Sequence, residues 1–66
     1  MTVEQFKALS VGSLVKIKDD AGNWEVGEIL KIGREVTVIW PDSKLTSFVG
    51  LTKSWESFIN WLEVEE

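Results

Sequence analysis

A chain of 66 residues has room for one small core and no second domain, because a domain this short buries only about 60% of the surface its unfolded chain exposes. With no Cys, His or Tyr, disulfides, thiolate nucleophiles, imidazole bases and the usual zinc sites are excluded. Seven basic residues against eleven acidic ones give a net charge of -4, the opposite balance to the cationic surplus that duplex DNA selects.

The N-terminal stretch Thr2-Val3-Glu4-Gln5 has the form of a capping box, in which the Thr and Gln side chains satisfy each other's backbone donors. Val3, Phe6 and Leu9 follow at helical spacing, so a short helix is expected over residues 3–9. Gly12 ends it. Leu14–Lys18 alternates, with Val15 and Ile17 inward and Lys16 and Lys18 outward, a first strand. Residues 19–23 form a turn, with Gly22 suited to positive φ.

Trp24–Ile32 is a second, longer strand of mixed parity. Glu28 interrupts one apolar face, and Gly27 is the expected site of a bend. Gly33 and Arg34 make a tight turn. Glu35–Trp40 is a third strand, with Val36, Val38 and Trp40 on one face and Thr37 and Ile39 on the other. Pro41-Asp42-Ser43 is turn chemistry, and residues 45–49 are a fourth strand closed by Gly50.

The C-terminal segment carries two patterns. Trp55, Phe58, Ile59 and Leu62 lie at i, i+3, i+4 and i+7, a helical stripe that Ser54 would cap. Trp61, Glu63 and Glu65 alternate with Leu62 and Val64, a strand pattern. A helical turn over residues 54–58 followed by a strand over residues 60–64 accommodates both.

Short strands punctuated by turns at close spacing imply an all-β barrel. The run Val11-Gly12-Ser13-Leu14-Val15, then Val26-Gly27-Glu28-Ile29-Leu30-Lys31-Ile32, then Val36-Thr37-Val38, resembles the SH3-like small barrels of the Tudor and KOW type. The resemblance covers residues 11–50. It implies a five-stranded barrel with the short helix before it and the helical turn before its last strand. Such barrels host many unrelated roles. Tudor domains that read methylated Lys or Arg use an aromatic cage, and the resemblance puts the cage positions at Lys18, Glu25, Trp40 and Ser43. Only Trp40 matches, with Trp24 able to substitute after a one-residue shift. In KOW-type barrels a basic strand face binds RNA or protein. Lys16, Lys18, Lys31 and Arg34 are the residues that would form it here, with Trp24 as a stacking platform.

Catalytic and metal chemistry find little support. Asp19, Asp20 and Asn23 lack the spacing and bidentate Glu of a calcium loop. Glu25, Glu28 and Glu35 on adjacent strands read as a solvated face rather than an acid–base pair. The five glycines are scattered at turns and form no phosphate loop. No cofactor is expected, and the protein reads as non-catalytic.

Four Trp and three Phe in so short a chain exceed what a small core can place centrally. Trp55, Phe58 and Trp61 are expected to cap one end of the barrel against Phe6 and Leu9, or else to leave Trp55 or Trp61 protruding as an anchor. The chain therefore reads as an adaptor or accessory module. Its protein partner would contact Trp24, Trp40, Phe48, Trp55 and Trp61. The alternative is nucleic-acid binding through the four basic residues. Self-association through an open strand edge is a further option. With no long apolar run and no secretory pattern, a soluble cytoplasmic protein is expected.

Overall fold

The structure, a computed structural model, describes residues 1–65. Helix α1 spans Val3–Lys7. The capping box forms: the Thr2 hydroxyl accepts from the Gln5 amide at 3.1 Å, and Gln5 Oε1 accepts from the Thr2 amide at 2.9 Å. The helix ends two residues earlier than its apolar spacing suggests, at the Ala8 cap. A helix this short has little stability of its own. It is held by Phe6, which is completely buried, and by the Met1 ammonium, which donates to the carbonyl oxygens of Ile59, Asn60 and Leu62.

Strands β1 (Leu14–Lys18), β2 (Trp24–Ile32), β3 (Glu35–Trp40) and β4 (Leu45–Gly50) form a meander of antiparallel hairpins. Gly22 takes φ +87° in the first turn, and Asp19 Oδ1 accepts from the Asn23 amide at 2.8 Å. The chain then runs through a 3₁₀ turn (Lys53–Trp55) into α2 (Glu56–Trp61) and a two-residue strand β5 (Glu63–Val64). β5 pairs antiparallel with β1, and the strand order is β4-β3-β2-β1-β5.

The protein is thus mainly β, with all five strands in one antiparallel sheet. The closed barrel expected from the sequence is not reached: among the described residues no ladder joins the end strands β4 and β5. One face of the sheet carries the core. Val15, Ile29, Val36, Val38, Trp40 and Val49 meet Phe6 of α1 with Ile59 and Leu62 of the C-terminal segment.

Three local expectations are corrected. The irregularity in β2 falls between Ile29 and Lys31, not at Gly27. Leu30 is the extra residue, and after it Lys31 returns to the outer face opposite Thr37 while Ile32 pairs with Val36. Gly27 stays in regular register opposite Val15. Its missing side chain makes room for Trp40 and Val38, whose atoms stand 2.8–2.9 Å from where a Cβ would lie. At the C-terminus the helix extends through Trp61, and the strand shrinks to Glu63 and Val64. The helical stripe prevails there because it buries Ile59 and Leu62 fully. Ser54 makes no cap: it lies inside the 3₁₀ turn, with its hydroxyl 2.8 Å from that of Thr52.

Candidate functional site

Directly paired residues share a face of an antiparallel sheet, so the register assigns every candidate side chain. Lys18–Trp24, Lys16–Val26, Glu28–Ile39, Lys31–Thr37 and Thr37–Phe48 all lie on the face away from the core. This outer face gathers three of the four basic candidates and two of the five aromatic ones.

The cations do not form one patch. Lys16 and Lys18 flank Trp24 at the start of β2, their Nζ atoms 4.8 and 5.8 Å from the ring centroid, within cation–π range. Lys16 also pairs with Glu65 at 3.9 Å. Lys31 and Arg34 lie at the other end of β2. There they share a concavity of about 330 Å³ with Phe48, Thr37 and Glu35. The sheet therefore carries two basic corners, each with its own aromatic ring.

The aromatic candidates differ sharply in exposure: Trp61 63%, Phe48 56%, Trp24 44%, Trp55 37% and Trp40 4%. Trp40 is the exception to the expected contact surface. Its ring faces the core against Gly27, as its shared parity with Val36 and Val38 requires, and its Nε1 donates to Ser47 Oγ at 2.9 Å. It is a core group whose edge reaches a small hollow, not an exposed anchor. Trp55 packs edge-on against Phe58, with centroids 5.8 Å apart and planes at 83°, and covers Gly50. Trp61, at the end of α2, protrudes most. Ile59 and Phe58 close the core against α1, while Trp61 stands out from it.

The four cage positions are partly assembled. Glu25, Trp40 and Ser43 line a hollow of about 180 Å³ with Phe58 and Leu45, whereas Lys18 lies outside its lining. The Ser43 amide donates to Glu25 Oε2 at 3.2 Å, which ties the turn after β3 to the start of β2. Trp40 contributes the edge of its ring to this hollow. A second aromatic, Phe58, comes from α2, outside the stretch that carries the resemblance. Its i+3 spacing from Trp55 was the only signal for it.

The carboxylates do not converge. Glu25 faces the core side opposite Ile17, while Glu28 faces outward opposite Leu14. Among the described residues no group of three His, Cys, Asp or Glu side chains could hold a metal ion. No helix among them is long and apolar enough to cross a membrane. Compared with protein-family models, with curated proteins and with solved structures, the chain gives no match.

Proposed function

We propose that the protein is a non-catalytic binding module, a small adaptor or accessory subunit that recognises a protein partner through exposed aromatic side chains. One observation carries the reading. The core closes around Trp40 and Phe6, yet Trp24, Phe48 and Trp61 stay on the surface. Large aromatics left in water by a domain with so little core to spare are best used at an interface, where Trp is enriched among the residues that dominate binding energy. The finer fold assignment belongs to the same proposal: an SH3-like barrel of the Tudor and KOW type. The hairpin meander, the 3₁₀ turn after β4 and the return of β5 to β1 support it. A cytoplasmic location belongs to the same proposal, and fractionation of the source cell would test it.

The test is a pull-down from the source lysate, followed by affinity measurements on the recovered partner. Trp24→Ala and Trp61→Ala are each expected to weaken binding by about 2 kcal/mol or more where the residue is an anchor, with the fold intact because both side chains are exposed. If both variants bind like the parent protein, the aromatic surface is wrong.

A second reading has its own observation. Lys16 and Lys18 over Trp24, and Lys31 and Arg34 beside Phe48, pair cations with rings as single-stranded nucleic-acid sites do. It predicts affinity for an oligonucleotide that falls steeply between low and moderate salt. Binding that ignores salt, or none at low salt, rules it out.

A further inference from the structure

One cation of the sheet sits where regular alternation would not put it. Counted from Glu28, an unbroken strand would turn Lys31 to the core side, and the extra residue Leu30 returns it to the outer face. There it begins a row across three strands, Lys31–Thr37–Phe48. Gly33 and Arg34, in the turn between β2 and β3, line a concavity of about 330 Å³ together with this row and Glu35. The corner at Trp24 is already satisfied internally: Lys16 pairs with Glu65, and Lys16 and Lys18 both lie over the ring. The corner at Phe48 is not. Among the described residues neither Lys31 nor Arg34 has an ion-pair partner, and no cation lies over the Phe48 ring, which is more than half exposed.

We propose that this corner binds an acidic segment of a protein partner, with one carboxylate held by Arg34 and Lys31 and a neighbouring apolar side chain laid on Phe48. The inference rests on the reading of the protein as a module for a protein partner, and it names the chemistry of that partner.

Charge favours this occupant. Lys31 and Arg34 against Glu35 leave the lining one positive charge in excess, which a single carboxylate balances. A guanidinium takes a carboxylate through two parallel hydrogen bonds, and the Thr37 hydroxyl is a further donor in the same lining. A polyanion fits less well. Its repulsion by a chain of net charge -4 grows with every phosphate, whereas the close attraction ends with the two cations. The ring then separates a carboxylate beside an apolar residue from a carboxylate alone, because the apolar neighbour covers a Phe that is otherwise left in water.

Titration of the isotope-labelled full chain at low salt with acetyl-leucyl-aspartyl-leucine amide tests it. Saturable amide shifts are expected at Lys31, Arg34, Thr37 and Phe48, with a dissociation constant of about 1–10 mM. The asparagine version of the peptide should bind at least about threefold more weakly, as should the parent peptide to Arg34→Gln or Phe48→Ala. Both side chains are exposed, so circular dichroism and melting temperature should be preserved. No saturable shift, equal binding of the asparagine peptide, or shifts that fall on Trp24 or the hollow beside Trp40 overturn the proposal. So does an oligothymidylate of about eight nucleotides that shifts the same amides at lower concentration than the peptide, because the occupant is then a nucleic acid. A partner recovered from lysate that depends on Trp24 or Trp61 but is indifferent to Arg34→Gln overturns this inference and leaves the binding-module reading standing.

Discussion

Trp40→Ala is expected to leave the protein largely unfolded at room temperature. Truncating a buried Trp costs about 3–5 kcal/mol, and a core of this size supplies a net stability of about 3–5 kcal/mol. The residue has no redundancy. It fills the space opened by Gly27, and its indole N–H is paired with Ser47. Trp40→Phe keeps most of the apolar contact and removes the donor. It should fold, with a smaller loss of about 1–3 kcal/mol. Urea melts of both variants check this. If Trp40→Ala shows an unshifted midpoint, the ring is not the keystone that its burial indicates.

Gly27→Ala is the second large effect. The added methyl would stand 2.8–2.9 Å from two ring carbons of Trp40 and from Val38 Cγ1. Neither neighbour yields easily. Val38 is β-branched and completely buried on β3, and Trp40 is held by its hydrogen bond. Overpacking of this kind costs about 1–3 kcal/mol. Gly50→Ala is the informative comparison, because its methyl would approach Trp55 atoms just as closely, at 2.7–2.8 Å. Trp55 is over a third exposed and sits on a short 3₁₀ turn, so its ring can move outward. The Gly27 variant should therefore lose clearly more stability than the Gly50 variant in paired thermal melts. Equal losses would mean that the core around Trp40 relaxes as freely as the surface around Trp55.

β1 and β3 were legible because each alternates with period two over five or more residues, and the first helix because its cap is written in four residues. Trp40 shows how two signals can compete. Its parity with Val36 and Val38 places it in the core, while the Tudor-like alignment places it on a contact surface. The structure follows the parity, since a pleated strand cannot turn one side chain outward without a bulge. The bulge that does exist, at Leu30, showed in the sequence only as the mixed parity of the second strand, which does not locate it. Gly27 drew attention to the wrong place, because a glycine in a strand marks either a bend or a close neighbour, and the neighbour lies on another strand. The candidate sites suffered from the same limit. Lys16, Lys18, Lys31 and Arg34 look like one basic group along the chain, but β2 is long enough to hold them at opposite ends. Phe58 reaches the hollow beside Trp40 only through tertiary packing of α2.

The pairing of β5 with β1 also bears on how the chain folds. Every other ladder joins strands that are neighbours in sequence and needs only a short loop to close. The β1–β5 ladder joins Val15 to Val64 across most of the chain, through two residue pairs. Its closure entropy is the largest in the molecule and its immediate return the smallest. The hairpins of β2, β3 and β4 are thus the natural nucleus. The C-terminal strand docks late, carried in by Ile59 and Leu62, and is the first element to leave when the protein opens.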